Sequence, residues 1–316
     1  MKKNLLLLAL IVCSSFTWYS CRPDEGNDPE IEVEVEEQDI WSPSNNSLFW
    51  RISGNGLQQP AHLFGTIHTI AHEDFSFEKG LDSILESSTS LMLEADISDP
   101  AIIKAVQSRM TWEKGINPDD MYTDAEVEAL DALCQSLNTS WEVIKQFNPL
   151  SLEGYLSGQI LKKELGITSG YEEYLIYNGQ KNGTPILGAE SAEYVFTYYK
   201  DIPNEEVIDR LVKMATNYLD EPETFMGSFQ ELVQAYLQQD LKALYDLNFK
   251  EGDQHLNERT YETLIVSRNA VWMDAIEKEL SGRLVAVGAA HLGGDKGLVQ
   301  LLRDKGYELT PIKVAR

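Results

Sequence analysis

Short apolar segments with β-strand character lie near both ends of the chain, and most of the residues between them have helical periodicity. The order strand, helix, strand occurs at the N-terminal end and again at the C-terminal end. This pattern predicts a mixed α/β (α+β) fold, in which both ends of the chain build one central mixed sheet. The strands are predicted over residues 47–53, 61–66, 90–94, 184–188, 283–288 and 307–313.

A large helical insertion, of about residues 100–280, is predicted between the two ends. Asn55 and Gly56 predict a tight turn after the first strand, since both tolerate positive φ. Asp124 opens one helix with acids in its first turn, and Pro149 begins another that runs to residue 165. Further helices are predicted over residues 77–88, 204–219, 222–249, 255–280 and 296–305. We therefore expect a single domain over residues 47–316.

The first residues have the composition of a targeting segment. Two lysines precede an unbroken apolar run over residues 5–12, which is too short to span a bilayer but is typical of a signal peptide. Ser20 directly before Cys21 resembles the cleavage site of bacterial lipoproteins. Residues 1–20 are therefore interpreted as a lipoprotein-type signal peptide and Cys21 as the lipidation site. An ordinary secreted protein that is cleaved near this point is the alternative.

Residues 21–46 are rich in Asp and Glu, and they predict a flexible, extended tether because like charges repel. Signal and tether together predict an exported lipoprotein of the cell envelope, facing the periplasm or the outside, which contacts the membrane through its lipid anchor. Lipidation of Cys21 and loss of the signal would leave Cys134 as the only free thiol. Its apolar helical surroundings predict a buried side chain.

The chain carries a net charge of -25 over 316 residues. Such a charge repels polyanions at long range, so binding to nucleic acid is disfavoured. Hydrophobic residues make up 43% of the chain, which is enough for a sizeable core. The acidic balance is otherwise typical of a solvated surface and does not by itself indicate a metal site.

Two Gly-x-x-His motifs stand where predicted buried strands end: one runs from Gly65 to His68, the other from Gly288 to His291. Glycine at a strand end permits either a close backbone approach or a turn with positive φ. In α/β sheets, ligands bind at the carboxyl ends of the strands. A single such motif is a weak signal, but two of them far apart in the chain predict one shared site.

Two acids follow predicted strands in the same way, Glu94 after residues 90–93 and Glu190 after residues 184–188. Two imidazoles and two carboxylates could therefore converge from four strand ends. This set suits either a divalent metal ion with open coordination positions or a general acid/base pair without metal. The residues alone leave both alternatives open.

Several segments resemble the TraB/GumN family in the family's order and cover most of residues 47–313. The family is similar in turn to the Tiki membrane proteases and, more distantly, to the erythromycin esterases. The chain departs from the family pattern at Ser267, where a Glu usually precedes Arg268 and Asn269. The segments are LFWRI at 48–52, LFGTIH at 63–68, LEAD at 93–96, LGAE at 187–190, RNAVW at 268–272, VGAAHL at 287–292 and GY at 306–307.

The resemblance implies a single α/β domain with both histidine motifs in one cleft. Tiki proteins are manganese- or cobalt-dependent peptidases, so the resemblance implies a divalent metal (Mn, Co or Zn) held by His68, His291 and Glu94. Glu94 and Glu190 are the implied catalytic carboxylates. The resemblance further implies that Arg268 lies on a helix at the cleft mouth, facing a substrate carboxylate or an oxyanion, and that Asn269 assists by hydrogen bonding.

The leading expectation is an exported, lipid-anchored, metal-dependent hydrolase of the peptidase or amidase type, with a peptide or a small amide or ester as substrate. The erythromycin-esterase relationship implies an alternative, a hydrolase that uses acid/base chemistry without metal. A second alternative is a protein that binds and sequesters a peptide without catalysis.

Overall fold

The computed structural model describes residues 41–42, 45–71, 74–75, 78–167, 169–191, 202–250, 258 and 261–313. A six-stranded mixed sheet lies at the centre of this part of the chain, in the order β4-β3-β5-β2-β1-β6. The two ends of the chain meet in the sheet, so the predicted fold class is confirmed. The strands are β1 (Phe49–Gly54), β2 (Ala61–Thr66), β3 (Leu91–Leu93), β4 (Ile186–Gly188), β5 (Leu284–Gly288) and β6 (Tyr307–Pro311).

The strand directions decide where the site can form. β2, β3, β4 and β5 run parallel to one another, whereas β1 is antiparallel to both β2 and β6. The carboxyl ends of β2 to β5 therefore lie at one edge of the sheet. β3 and β5 are fully buried, which explains why they read as continuous apolar runs.

The hairpin between β1 and β2 turns as the sequence predicts. Asn55 has φ 42° and Gly56 has φ 78°, a left-handed conformation that these two residue types adopt at low cost. Trp50 and Ile52 of β1 and Leu63 of β2 are fully buried and anchor this hairpin in the core.

Eleven α-helices are present in the described ranges, most of them between β3 and β5. Thr123 and Glu126 form a capping box at the start of α3, and Asn148 caps α5, where Pro149 takes the first helical position. The helices are α1 (Glu78–Ser87), α2 (Pro100–Ser108), α3 (Asp124–Ser136), α4 (Trp141–Ile144), α5 (Pro149–Leu165), α6 (Tyr171–Asn182), α7 (Asn204–Asp220), α8 (Pro222–Leu237), α9 (Leu241–Phe249), α10 (Ser267–Glu277) and α11 (Leu298–Asp304).

The single helix predicted over residues 222–249 is wrong, because α8 and α9 are separate. Gln239 adopts φ 56°, and the Asp240 carboxylate accepts a hydrogen bond from the Ala243 backbone N–H at 2.9 Å, which caps a new helix. The helix predicted over residues 255–280 also differs. Its described part begins with a π-helical turn, Glu262–Val266, which continues directly into α10.

One hydrophobic core contains side chains from the sheet and from the helices of the insertion. Cys134 on α3 is fully buried, as predicted. None of the helices in the described ranges combines the length and the apolar character needed to cross a bilayer. Residues 1–40, which include Cys21 and most of the predicted tether, lie outside the described residues.

Candidate functional site

Six side chains predicted for the site lie together at the carboxyl edge of the sheet, and each is at most 7% exposed. Four follow strand ends, and two project from the start of α10. Because the four strands run in parallel, side chains from distant parts of the sequence converge here. The six are His68 after β2, Glu94 after β3, Glu190 after β4, His291 after β5, and Arg268 and Asn269 on α10.

The glycines of the two motifs permit close approach rather than a positive φ. A Cβ on Gly65 would lie 3.1 Å from the Cα of Ala289, so β2 and the segment after β5 could not pack as they do. A Cβ on Gly288 would lie 3.1 Å from Glu94 Oε1 and 3.6 Å from His68 Nε2. Gly288 therefore stands where the two motifs and Glu94 meet.

Arg268 lies at the centre of the cluster. Its Nη2 donates to Glu94 Oε2 and to Glu190 Oε1, both at 2.6 Å, and its guanidinium lies 4.6 Å from the centre of the Trp272 ring. Its Nη1 is 3.4 Å from His291 Nε2. Arg268 is 4% exposed, and its charge is balanced by two internal carboxylates. Its expected contact with a substrate carboxylate or an oxyanion at the cleft mouth stays a prediction.

Asn269 fixes the tautomer of His291. The Asn269 side-chain nitrogen donates to the backbone oxygens of His291 and Lys296, at 3.1 Å and 2.8 Å, so its Oδ1 must face His291 Nδ1, 2.8 Å away. An amide oxygen only accepts, which requires Nδ1 to carry the proton. His291 Nε2 then carries the lone pair, in agreement with its contact to Arg268, which only donates.

His68 has a different kind of partner. Its Nδ1 lies 2.9 Å from Oε1 of Glu172, which stands in the first turn of α6, and Thr66 also donates its hydroxyl to that oxygen. The side chains of His68 and Glu172 are 5% and 9% exposed, so the pair is shielded from water. A carboxylate as acceptor favours the protonated imidazole.

The surroundings favour the charged form of one imidazole and the neutral form of the other. Burial disfavours the imidazolium of His68, but the Glu172 and Glu94 carboxylates outweigh burial and raise the pKa of His68 to about 9. Burial lowers the pKa of His291 to about 3, because Arg268 and His68 add to the effect and only Glu94 opposes it. Divergent pKa values in one site are typical of an acid and a base with separate roles.

The two carboxylates bound by Arg268 also differ. Burial disfavours the charge of Glu94, yet Arg268, the two imidazoles and the Gly288 N–H, 2.8 Å away, together lower the pKa of this carboxyl. Burial raises the pKa of Glu190 despite Arg268 and the indole N–H of Trp272, which donates to Glu190 Oε2 at 2.9 Å. Glu94 is thus the more firmly ionised of the two.

A small pocket, partly open to solvent, lies beside His68. Its polar side chains are largely engaged in the fold: Tyr236 donates its hydroxyl to the Gly65 backbone oxygen, and Asn248 donates to the Leu244 backbone oxygen. His68 is therefore the wall residue that can take part in proton transfer. The pocket is lined by Thr66, Ile67, His68, Leu232, Tyr236, Leu244, Asn248, Gly288, Ala289 and Ala290.

The ligand set implied for a divalent metal is His68, His291 and Glu94, and in this arrangement it does not fit an ion. Among the residues that the structure describes, no three His, Cys, Asp or Glu side chains are grouped closely enough to hold one. Glu94 Oε1 accepts from Gly288, Oε2 accepts from Arg268, and the same guanidinium contacts His291 Nε2. Arg268 thus occupies the oxygen and nitrogen atoms that would have to coordinate the ion. The bound metal stays a prediction.

Three residues of the site were missed by the sequence analysis: Glu172, Thr66 and Trp272. Glu172 lies 106 positions after Thr66 in an acidic helix start, a pattern that usually reflects only the helix dipole. The glycine at position 170 is the one sequence feature that points to the docking of α6 on the His68 segment. A Cβ there would lie 2.2 Å from the His68 backbone oxygen, so glycine is required. Trp272 is part of the family-like segment at 268–272, but nothing in that segment indicates that its N–H meets Glu190.

Comparison with known proteins finds similarity over nearly the same residues as the sheet and helices described above. The sequence profile of the TraB/PrgY/gumN family matches residues 48–311. The chain is 24% identical to the uncharacterized protein YbaP of Shigella flexneri over 254 residues, 77% of this chain and 88% of that protein. It is also 24% identical to YbaP of Escherichia coli (strain K12) over 253 residues, 77% and 87% of the two chains. No solved structure matches the chain.

Proposed function

The chain belongs to the TraB/PrgY/gumN family, and we propose that it is a hydrolase of amide or ester bonds in small, peptide-like substrates. The observation that carries the proposal is the pair of imidazoles, His68 and His291, whose Nδ1 atoms face different partners. The Glu172 carboxylate, 2.9 Å away, favours the protonated ring of His68, and the Asn269 oxygen, 2.8 Å away, leaves the lone pair of His291 on Nε2. A hydrolase needs one group that accepts a proton from water and another that donates a proton to the leaving group. The pair supplies both.

The proposed reaction uses side chains of this chain alone. Water adds to the substrate carbonyl carbon while its proton passes to Nε2 of His291, which carries the lone pair. The bond from that carbon to the leaving nitrogen or oxygen then breaks, and His68 gives its proton to the leaving atom. Proton return from His291 to His68 through water completes the cycle and leaves a carboxylic acid with an amine or alcohol. Glu94 Oε1, 3.8 Å from His291 Nε2, stabilises the positive charge that His291 gains.

The pocket next to His68 favours an uncharged, apolar substrate group. Half of the residues in its wall are apolar: Ile67, Leu232, Leu244, Ala289 and Ala290. A chain with a net charge of -25 repels anionic substrates at long range, which favours neutral or cationic ones. Amides and esters of apolar amino acids meet both requirements.

A metal-dependent hydrolase is the second candidate, and one observation favours it. His68 and His291 each bind a partner through Nδ1, which leaves both Nε2 atoms for another contact close to Glu94. Metal-binding histidines are usually fixed by such a partner on the second nitrogen. His68, His291 and Glu94 would hold a Mn, Co or Zn ion that polarises the substrate carbonyl, provided that Arg268 moves away from them.

We further propose export and lipid anchoring through Cys21, supported by the composition of residues 1–46. Mass spectrometry of the N-terminal peptide from a membrane fraction tests this proposal. An acylated Cys21 at the N-terminus supports the anchor, whereas an unmodified terminus downstream of it indicates an ordinary secreted protein.

Hydrolysis is tested with acyl-leucine amides and p-nitrophenyl esters, for the wild type and for His68→Asn and His291→Asn. We expect a loss of about 100-fold or more in kcat for each variant, as for removal of a general acid or base. His62→Asn is the matched control, because His62 lies at the opposite end of β2 from the site. No turnover by a folded wild type, together with saturable peptide binding, would favour the peptide-sequestering alternative.

The same assay separates the two hydrolase candidates. Activity that survives EDTA and is not increased by Mn, Co or Zn supports the acid/base reaction. Activity that EDTA abolishes and one of these ions restores supports the metal-dependent candidate and refutes the proposed reaction.

A further inference from the structure

We propose that Glu172 is the positioning residue of His68: it keeps a proton on Nδ1 and fixes the ring orientation of that histidine, so that the Nε2 edge faces the pocket and Nε2 is the nitrogen that gives up its proton. The proposal rests on the proposed function, in which His68 donates the proton to the leaving group. It adds a residue that stands 106 positions after Thr66 in the chain and comes from another part of the fold.

The contacts of Glu172 concentrate on one oxygen. Its Oε1 accepts from His68 Nδ1 at 2.9 Å and also from the hydroxyl of Thr66. Its Oε2 is buried and has no hydrogen-bond partner among the described residues. Thr66 thus holds the carboxylate from the β2 side while His68 meets the same oxygen from the segment that follows the strand.

The backbone of α6 is docked directly on the His68 segment. A Cβ on Gly170 would lie 2.2 Å from the His68 backbone oxygen, so only glycine allows the helix to begin there. The Ile70 N–H donates to the Ser169 backbone oxygen at 3.2 Å, and the Tyr171 N–H donates to the Ile67 oxygen at 3.4 Å. These contacts fix Glu172, the second residue of α6, relative to the imidazole.

The geometry explains why a carboxylate stands here. A buried carboxylate with one unsatisfied oxygen costs free energy, so a residue that only filled space would be better replaced by Gln or Leu. A carboxylate, however, accepts from Nδ1 and cannot donate, which excludes the tautomer with the proton on Nε2 alone. The remaining nitrogen, Nε2, lies 3.6 Å from the position of a Cβ on Gly288, which is in the pocket wall.

The decisive variant is Glu172→Gln, which keeps the shape and removes the charge. Its matched control is Glu173→Gln, which removes the same charge from the same turn of α6 but lacks the contact to His68. With the leucine amide and ester substrates, we expect kcat of Glu172→Gln to fall roughly 10- to 100-fold, the effect of one charge-assisted hydrogen bond, with little change in KM. Glu173→Gln should stay within about 2-fold of wild type, the range of surface substitutions.

Proton NMR of the imidazole provides a readout that does not depend on turnover. The hydrogen-bonded Nδ1 proton of His68, assigned by its absence in His68→Asn, should give a low-field signal in the wild type and in Glu173→Gln. It should shift upfield or broaden in Glu172→Gln. A Glu172→Gln protein with wild-type kcat and an unchanged signal overturns the proposal.

A second variant tests the same contact in case Glu172→Gln does not fold. Thr66→Val removes the hydroxyl that shares Oε1 but leaves the carboxylate, so we expect a shifted Nδ1 signal and a loss of about 2- to 10-fold in kcat, as for one neutral hydrogen bond. An unshifted signal and unchanged kcat in Thr66→Val would again overturn the proposal. If the wild type shows no turnover, the hydrolase assignment fails, and the NMR signal alone decides the positioning role.

Discussion

Replacing Arg268 by Met tests whether this guanidinium is what keeps two carboxylates buried side by side. The side chains of Glu94 and Glu190 are 7% and 0% exposed, and each has an oxygen 2.6 Å from Arg268 Nη2. Methionine keeps most of the volume and removes the charge, so both acids lose their cation without gaining water. Breaking one buried ion pair costs about 3–5 kcal/mol. We therefore expect Arg268→Met to lower the free energy of unfolding by about 3 kcal/mol or more near pH 8.

The loss should become smaller as the pH falls. In the wild type, Arg268, the two imidazoles and the Gly288 N–H together outweigh burial and lower the pKa of Glu94. The stability that this group contributes is therefore present above its unfolded-state pKa and is lost on acidification. Because Arg268 lowers the pKa of both carboxyls against burial, we expect the pKa values of Glu94 and Glu190 to rise when it is removed. The folded variant then binds protons that the folded wild type does not, and its stability relative to wild type increases from about pH 8 to about pH 5.

Urea unfolding followed by circular dichroism at the two pH values measures both effects. Arg210→Met is the matched control. Arg210 lies away from the site and forms an ion pair with Glu153, with 2.8 Å between Nη2 and Oε2, and both side chains are 12% exposed. We expect this control to lose about 1–3 kcal/mol, with a weaker pH dependence because its carboxylate keeps some access to water. Equal losses at the two pH values for Arg268→Met, or a loss under about 1 kcal/mol, would refute the reasoning.

Two further predictions concern residues around the site and in the core. Gly170→Ala should lower the free energy of unfolding by about 1–3 kcal/mol or more, because the new Cβ would meet the His68 backbone oxygen at 2.2 Å. Gly227→Ala, at a helical position with open space, should instead raise it by about 0.5–1 kcal/mol, and urea unfolding compares the two. Burial, with a smaller contribution from Asp131, raises the pKa of the Cys134 thiol to about 12, so peptide mapping should find this thiol unalkylated by iodoacetamide near pH 8 unless urea is added.

The parts of the fold that depend on local patterns could be predicted from the sequence. The strands were recognised as short apolar runs. The histidines and acids at the ends of four of them, His68, Glu94, Glu190 and His291, were enough to predict one shared edge of the sheet. The break between α8 and α9 could not be predicted, because it depends on a positive φ at Gln239, a residue type without a strong turn preference.

Contacts within the site were harder to predict than its location. Glu172 reaches His68 only because α6 docks on the segment after β2, and no spacing in the sequence encodes that docking. Arg268 was predicted to face substrate, since an arginine at a helix start has no local signal that distinguishes an internal partner from an external one. Its partners, Glu94 and Glu190, lie 174 and 78 positions away in the chain.

Because of its position, Arg268 would compete with a metal ion for the same side chains. A divalent ion and the guanidinium need the same donors, Glu94 and the Nε2 atom of His291. If Arg268 is the resident cation, removing it frees these donors, and Arg268→Met should bind manganese or zinc at least about 10-fold more tightly than wild type in calorimetry, a gain of about 1.4 kcal/mol. A second substitution, His291→Asn, should abolish that gain. A wild type that binds the ion tightly, and binds it less tightly once Arg268 is removed, would show instead that Arg268 supports a metal site.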